Sequence, residues 1–211
     1  MLDVNILIKG HYRTFDKTYP SFKKSLNGLT YKYSLHTWNT INVDSTPLTS
    51  EQIVLLKSFD PNIIIEEQDW LEEESKKLWT NLSFKIFKNY WYGIQSCINR
   101  ISEESKYIII TRYDILLNTE FKNFHCDENE IIIGHRYDKK YFLSSAATDI
   151  IFFINYKDKD KFAKMPKEYL DWEQDPSKYK YTEDAMNDFI CSNWKKIRIQ
   201  WIYTKDYNLL R

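Results

Sequence analysis

The residues best suited to chemistry follow an apolar stretch in the middle of the chain. Thr111, Arg112, Tyr113 and Asp114 come directly after the strand predicted at 107–110. Residues two apart project to the same side of an extended segment, so Arg112 and Asp114 could together face a diphosphate and the cation that bridges its phosphates. The same two side chains could instead form a salt bridge at the strand end. The pattern alone leaves both interpretations open.

A second polar group follows the apolar strand predicted at 4–8. It consists of Gly10, His11, Arg13 and Thr14. Glycine lets the backbone approach a ligand closely, and the planar guanidinium of arginine can bind a phosphate or a base edge. The hydroxyl of Thr14 could add a hydrogen bond, and His11 could line the same pocket. An ordinary exposed loop would have the same composition.

A third candidate group ends the strand predicted at 31–36. His36 could line a nucleotide pocket, and the ring of Trp38 could stack on a base or a sugar. A histidine bonded to backbone and a tryptophan packed in the core are the structural alternatives.

The elements that would position these residues alternate between strands and helices. Apolar spacing predicts strands at 4–8, 31–36, 63–65 and 107–110, and helices at 18–26, 83–101 and from Thr49 to Asp60. Such alternation indicates an α/β fold with a mostly parallel sheet flanked by helices, in which ligands bind at the carboxyl ends of the strands. The three polar groups should therefore share one edge of the sheet.

The second half of the chain is less regular. Strands are expected at 131–133, 150–154 and 197–203, with a helix at 182–194, and we interpret them as a mixed or antiparallel addition to the sheet. A hydrophobic content of 43% over 211 residues is enough for one globular core. The alternating Lys and Asp at 157–161 predict a solvent-exposed start of a helix.

Composition excludes several classes of function. The formal net charge is zero, so no global attraction to nucleic acid is expected. Four glycines cannot build a Gly-rich dinucleotide loop or a Walker A loop, and the histidine and cysteine spacings fit no zinc site. Neither a secretion signal nor a transmembrane segment is predicted, which favours a cytoplasmic protein.

Three stretches resemble the small GT-A-fold glycosyltransferases of surface-polysaccharide biosynthesis, which include WavE-like proteins and related viral enzymes. The chain is similar to that family in its opening strand and loop at 6–15, in the Leu-His-Thr-Trp of 35–38, and in the Thr-Arg-Tyr-Asp of 111–114. The resemblance covers residues 6 to 114, about half of the chain. It implies a single GT-A-like domain over 1–211, with a nucleotide-binding half at 1–114 and an acceptor-binding half at 115–211.

The resemblance also implies a ligand set. A UDP- or GDP-linked sugar would lie against the residues after the first strands and against Arg112, with Mn²⁺ or Mg²⁺ bound through Asp114. The family's more familiar metal motif has two aspartates, whereas this chain has Arg112 at the first position. Arg112 could neutralise the departing diphosphate itself, so the need for a metal stays open.

Sugar transfer with inversion also needs a base for the proton of the acceptor hydroxyl. Asp149 lies just before the strand predicted at 150–154, and Glu183 opens the predicted helix at 182–194. Acids at helix starts are favoured by the helix dipole without any catalytic role. With that structural alternative kept for Glu183, we take Asp149 and Glu183 as the candidate catalytic residues.

The sequence thus predicts a glycosyltransferase that moves a sugar from a nucleotide diphosphate to a glycan acceptor. Two alternatives are kept. A nucleotidyltransferase would also hold a nucleotide over a parallel sheet, and a non-catalytic glycan-binding domain could share the fold after losing a metal-binding carboxylate.

Overall fold

Strands and helices alternate through the first half of the chain, as predicted. The computed structural model describes residues 1–41, 46–67, 79–135, 151–163 and 182–201. The elements of this half are β1 (Leu2–Lys9), α1 (Phe15–Ser25), β2 (Tyr31–Trp38), α2 (Ser50–Phe59), β3 (Ile64–Glu66), α3 (Trp79–Ile98) and β4 (Ser105–Arg112). Helix α2 begins at a capping box, in which Thr49 and Gln52 each bond the other's backbone N–H.

The second half adds strands to the same sheet. It contains β5 (Glu130–His135), β6 (Ile151–Asn155), α4 (Lys159–Ala163), α5 (Thr182–Asn193) and β7 (Lys196–Trp201). The seven strands are ordered β3-β2-β1-β4-β6-β5-β7. Only β6 runs antiparallel to its neighbours among these strands. The predicted α/β class, with its mostly parallel sheet and mixed second half, is confirmed.

Apolar side chains cover both faces of the sheet. On one face the rings of α1 pack with Leu56 of α2 and with alternate residues of β1 and β4. On the other face Trp91 of α3 packs with Phe162 of α4 and Phe189 of α5. Helices therefore lie on both sides of the strands, and the strand ends remain as the edge where polar residues collect.

Some predicted boundaries were wrong by a few residues. Helix α1 begins at Phe15 instead of 18, because the buried Phe15 ring packs edge-on against Tyr113 and orders an earlier first turn. Helix α3 begins at Trp79 instead of 83 and ends at Ile98. The Lys-Asp run does lead into a helix, α4, and Lys157 is exposed, but the prediction of a solvated run was wrong at Asp158. Asp158 is 3% exposed, accepts from the Asn129 N–H and pairs with Lys161.

The strand register aligns the ends of three strands. Lys9 at the end of β1 lies opposite Arg112 at the end of β4, and Ile8 lies opposite Leu35 of β2. The next residues along, Lys9 and His36, are therefore neighbours as well. Because parallel strands share one direction, the loops after β1, β2 and β4 meet at a single carboxyl edge.

Candidate functional site

Asp114 and two arginines form the centre of the candidate site. Arg13 Nη1 donates to Asp114 Oδ2 at 2.6 Å, and Arg112 donates through Nε to Oδ1 at 3.0 Å and through Nη2 to Oδ2 at 2.8 Å. Asp114 is 1% exposed, whereas the side chain of Arg13 is 27% exposed. The sequence alternative of an Arg112–Asp114 salt bridge is thus confirmed, and Arg13 joins it from the loop after β1.

The two guanidiniums keep this carboxyl ionised. Burial by itself would raise the pKa of Asp114, but the neighbouring charges and hydrogen bonds of Arg112 and Arg13 outweigh it and lower that pKa to about 2. Asp114 is therefore an anion at neutral pH, and it holds two cationic side chains close to each other at the edge of the sheet.

Tyr113 connects the Arg112–Asp114 segment to β2 and α1 by hydrogen bonds. Its side chain is buried, and its hydroxyl donates to the His36 carbonyl at 3.0 Å. Its own carbonyl accepts from Thr18 Oγ1 of α1 at 2.5 Å. Its ring packs in the core on the α1 side of the sheet, whereas alternation along β4 places Arg112 on the other side with Ile110. The sequence interpretation assigned no role to Tyr113.

The loop after β1 has an unusual backbone that brings Arg13 to Asp114. Gly10 has a φ of 102°, and no atom of the described residues lies within 4 Å of a Cβ placed there. Arg13 has a φ of 49°, which is uncommon for a residue with a side chain, and its N–H donates to the Ile41 carbonyl at 2.9 Å. Non-glycine residues in this region are often found at functional sites.

Lys9 is a cation of the site that the sequence interpretation missed. It is the last residue of β1, is 3% exposed, and its Nζ lies 2.8 Å from the centre of the Tyr90 ring. Lys9 projects towards α3, as Leu7 does, and alternation places Arg112 on that same face next to Ile110. A lysine at the end of an otherwise apolar strand was the signal that could have identified it.

His36 lies beside Lys9 but is enclosed by protein. It is 0% exposed, and its Nε2 is 3.0 Å from Glu66 Oε2. Burial lowers the pKa of His36, so the ring is neutral and donates from Nε2, because a carboxylate can only accept. Tyr92 donates to the other oxygen of Glu66 at 3.0 Å. His36 can therefore orient the end of β2, and the predicted contact with a nucleotide stays a prediction.

An aromatic pair flanks this histidine. Trp38 is 7% exposed and stacks against Tyr92 of α3, with ring centres 6.4 Å apart and planes at 21°. Tyr92 is 43% exposed. The outer ring of the pair, Tyr92, is thus the more accessible stacking surface, and its position on α3 was missed because only Trp38 stood at a strand end.

Helix α3 approaches the strand ends at a glycine. A Cβ added at Gly93 would lie 3.2 Å from His36 Nδ1 and 3.2 Å from Lys9 Cβ. Both distances are tighter than ordinary van der Waals contact. The absence of a side chain at Gly93 therefore lets α3 cover Lys9 and His36 closely.

The remaining predicted residues of the first loop lie near this centre with different surroundings. Thr14 precedes α1, and its Oγ1 is buried with no hydrogen-bond partner among the described residues. His11 Nδ1 lies 3.4 Å from both the carbonyl oxygen and the Oγ1 of Thr40. Tyr12, between them, is 0% exposed and belongs to the core.

The structure describes only one of the two candidate bases, Glu183, and that one by its backbone. Asp149 lies outside the described residues. The strand after Asp149, β6, begins with Ile151 opposite Thr111. Glu183 lies in the first turn of α5, where the structure describes the backbone. Both catalytic assignments stay predictions.

The donor set at Asp114 does not fit a directly bound divalent cation. Both carboxylate oxygens accept from guanidiniums, and a cation there would meet two positive groups at close range. The described residues hold no group of three or more His, Cys, Asp or Glu side chains that could ligate a metal. Mn²⁺ and Mg²⁺ prefer several oxygen ligands, which this centre does not offer from the described chain.

Comparison with known proteins gives a structural relationship only. No known family profile matches the sequence. No curated protein matches it either. The apo-form glycosyltransferase GlyE of Streptococcus pneumoniae TIGR4 is similar in structure, with a TM-score of 0.50 and 9% identity over 92% of this chain and 44% of that one. A second GlyE structure gives a TM-score of 0.53 and 10% identity over 98% and 46%.

The chain has the fold of a glycosyltransferase. At this level of identity the similarity concerns architecture, and the chain spans less than half the length of the GlyE structures it matches. The predicted GT-A-like fold is therefore confirmed, while the WavE-like and viral resemblance stays a prediction. None of the described helices combines the length and apolar character needed to cross a bilayer.

Proposed function

We propose that this protein transfers a sugar from a nucleoside diphosphate donor, UDP- or GDP-linked, to a glycan acceptor. The observation that carries the proposal is the contact between the loop after β1 and the end of β4, made by Arg13 and Asp114 at 2.6 Å. This contact brings cationic side chains to the carboxyl edge of the sheet, where α/β folds bind ligands. The structural similarity to the GlyE glycosyltransferases supports the same choice.

The proposed chemistry is a displacement at the anomeric carbon. The acceptor oxygen forms a bond to that carbon while the bond to the diphosphate oxygen breaks, and the electron pair leaves with the diphosphate. Arg13 and Arg112 stabilise the charge that develops on the leaving group, because guanidiniums bind phosphate oxygens through paired N–H groups. Asp114 holds both guanidiniums in place before the donor arrives.

The proton of the acceptor hydroxyl must pass to a base in an inverting reaction. Asp149 remains a candidate because β6, which follows it, begins opposite Thr111 at the edge that carries Arg112. Glu183 remains a candidate because a short link joins the end of α5 to the start of β7, so α5 begins towards the carboxyl edge of the parallel strands.

A thermal-shift panel tests the proposed function. UDP, GDP, UDP- and GDP-linked sugars, nucleoside triphosphates and free oligosaccharides are compared at equal concentration. A ligand at one hundred times its Kd adds about 2.7 kcal/mol to the stability of the folded state, which is a readily measured rise in Tm. We expect the nucleotide sugars and diphosphates to raise the Tm of the wild type and to raise that of Arg112→Met much less.

The matched control is Lys32→Met. Lys32 is an exposed cation near the start of β2, paired with Glu103 at 2.8 Å, so its loss removes one positive charge far from the carboxyl edge. This variant should respond to nucleotides as the wild type does. Stabilisation by triphosphates alone would instead support a nucleotidyltransferase, and stabilisation by oligosaccharides alone would support a glycan-binding domain.

A further inference from the structure

We propose that Glu66 and Tyr92 form a base site that selects guanine, so that the nucleotide of the donor is GDP. The inference rests on the proposed function for the diphosphate part of the ligand, and it deepens that function by choosing between UDP- and GDP-linked sugars. The side chains of Trp38, Glu66 and Tyr92 are called the base site below.

The base site lies at the carboxyl edge of the sheet, beside the loop that carries Arg13. Trp38 and Glu66 are register partners at the last positions of β2 and β3. In the loop after β2, the Asn39 N–H donates to the Glu66 carbonyl at 2.7 Å. The same loop accepts the Arg13 N–H at the Ile41 carbonyl, at 2.9 Å. One short loop therefore separates a base at Glu66 from a diphosphate at Arg13.

Tyr92 supplies a stacking surface. It is 43% exposed, whereas Trp38, the ring stacked against it, is 7% exposed. The His36 ring packs edge-on against both, with ring centres 4.9 Å from Trp38 and 5.7 Å from Tyr92. These contacts hold the Tyr92 ring in place while part of it stays accessible. Stacking on an aromatic ring accepts every base, so Tyr92 contributes affinity without selectivity.

Glu66 supplies the selectivity. A carboxylate has about four acceptor positions on its two oxygens. Among the described residues, His36 Nε2 lies 3.0 Å from Oε2 and the Tyr92 hydroxyl donates to Oε1 at 3.0 Å. One acceptor position thus remains on each oxygen, and the side chain is 34% exposed. The two existing bonds also fix the direction of the carboxylate before a ligand binds.

Guanine is the base that fills both remaining positions. Its N1–H and its 2-amino group are adjacent donors, which one carboxylate accepts in parallel. Uracil has a single N3–H between two carbonyls, so a carbonyl oxygen would face the second oxygen of Glu66. Adenine and cytosine each place an acceptor nitrogen beside their amino group. A base that sets an acceptor against Glu66 loses affinity, because the buried polar groups are then mismatched.

The ring and the carboxylate can contact one base together. The Tyr92 hydroxyl bonds Glu66, so the carboxylate lies at the edge of the Tyr92 ring. Stacked aromatic systems prefer an offset arrangement. A base displaced along the Tyr92 ring towards its hydroxyl therefore brings its donor edge to Glu66.

The test is isothermal titration calorimetry of GDP, UDP, ADP and inosine diphosphate on the wild-type protein. Each titration is run with Mn²⁺ and again with EDTA, so that a metal requirement cannot mask binding. We expect GDP to bind about tenfold or more tightly than UDP or ADP, the effect of one hydrogen bond to a charged group. Inosine diphosphate keeps the N1–H and lacks the 2-amino group, so it should bind several-fold more weakly than GDP.

A first variant tests Glu66. Glu66→Gln replaces one acceptor oxygen by an amide donor, and it should weaken GDP binding about tenfold or more. It should also favour xanthosine diphosphate over GDP, because the 2-carbonyl of xanthine accepts from the new amide. The matched control is Glu103→Gln, since Glu103 is an exposed acid that precedes β4 and pairs with Lys32. This control should keep the wild-type ranking.

A second variant tests the stacking ring. Tyr92→Leu should weaken the binding of all four diphosphates by a similar factor, because stacking is common to every base. The matched control is Tyr31→Leu. Tyr31 begins β2, is 38% exposed and packs its ring against Tyr33, so it is a similar tyrosine at the opposite edge of the sheet. Tyr31→Leu should bind GDP as the wild type does.

The outcomes separate the base site from the proposed function. UDP that binds as tightly as GDP, or more tightly, overturns the guanine site while the proposed function stands. Inosine diphosphate with the affinity of GDP also overturns it, since the 2-amino group then makes no bond. A folded Glu66→Gln protein with the wild-type ranking removes Glu66 from the site. If that variant fails to fold, the ranking on the wild type still decides. No binding of any nucleoside diphosphate refutes both proposals.

Discussion

Two buried aspartate–arginine centres in this protein have the same residue types and opposite surroundings. Asp60 pairs with Arg100 at 3.1 Å, and it also accepts the backbone N–H groups of Leu35 and Asn62. Arg100 in turn donates to the carbonyls of Leu35 and Asn62. This centre ties the ends of α2 and α3 to the middle of β2, so its hydrogen bonds hold backbone segments together.

The Asp114 centre differs because one carboxylate accepts from the guanidiniums of two arginines, Arg13 and Arg112, and Lys9 lies opposite Arg112 in the strand register. It also lies at the carboxyl edge of the parallel strands, where the loops after β1 and β4 meet. The comparison teaches that a buried ion pair becomes a candidate site through its location at the strand ends, since burial and pairing are common to both centres.

The largest expected effect is on stability, at the structural centre. Arg100→Met leaves Asp60 buried and without its cation, which costs about 3–5 kcal/mol of the free energy of unfolding. Urea denaturation measures the loss. The folded fraction should bind nucleotide diphosphates with wild-type affinity, and Lys32→Met should change the free energy of unfolding by less than about 1 kcal/mol. A stable Arg100→Met protein that no longer binds nucleotide would reverse the roles of the two centres.

The next effect is on catalysis, at the Asp114 centre. Arg112→Met removes one cation from the leaving diphosphate, and we expect kcat for sugar transfer to fall about 100-fold, the scale seen when one preorganised donor is lost. Stability should fall less than in Arg100→Met, because Arg13 still pairs with Asp114. Release of the nucleoside diphosphate is the measurement. An unchanged kcat in Arg112→Met would separate the motif from the reaction.

A pH prediction follows from the same carboxyl. The folded pKa of Asp114 is about 2, below the ordinary value of 3.8. The contribution of Asp114 to the free energy of unfolding is therefore present above pH 4. It is about 2 kcal/mol, and it is lost as the pH falls from about 4 through about 2. Urea titrations of wild type and Asp114→Asn across that range should differ in slope. Parallel curves would mean that Asp114 is not held by its arginines in solution.

The smallest effect is expected at Gly93. Alanine favours a helix over glycine by about 1 kcal/mol, but its Cβ would press on His36 and Lys9 at 3.2 Å. We expect these terms to offset each other, so Gly93→Ala should change stability by less than about 1 kcal/mol while weakening UDP or GDP binding several-fold through a displaced Lys9. Calorimetry on this variant checks the result. Stronger binding would contradict the close packing of α3 on the site.

The sequence predicted the arrangement of the sheet better than the partners within the site. Apolar periodicity identified the strands, and the shared edge of parallel strands predicted that Arg13 and Arg112 would be neighbours. The pairing of Asp114 with Arg13 joins residues 101 apart in the chain, and no local pattern specifies that distance. Asp114 was therefore expected to face a metal, and its actual partners emerged only from the fold.

Lys9 shows why the rest of the site could not be predicted. A single lysine after an apolar strand is compatible with an exposed strand end, which is the ordinary place for a lysine. Its burial depends on two residues of α3: Gly93, where the helix approaches the sheet, and Tyr90, whose ring covers the ammonium. Two further strands, β2 and β3, separate β1 from that helix in the sequence. Only the packing of that helix on the sheet buries Lys9 at the strand ends.

A crystal structure with bound UDP or GDP tests the central claim most directly. The account predicts that the diphosphate lies at the carboxyl edge of β1 and β4, with its oxygens within hydrogen-bonding distance of Arg13 and Arg112 and next to Lys9. A diphosphate bound anywhere else on the protein, with no contact to Arg13 or Arg112, would contradict it.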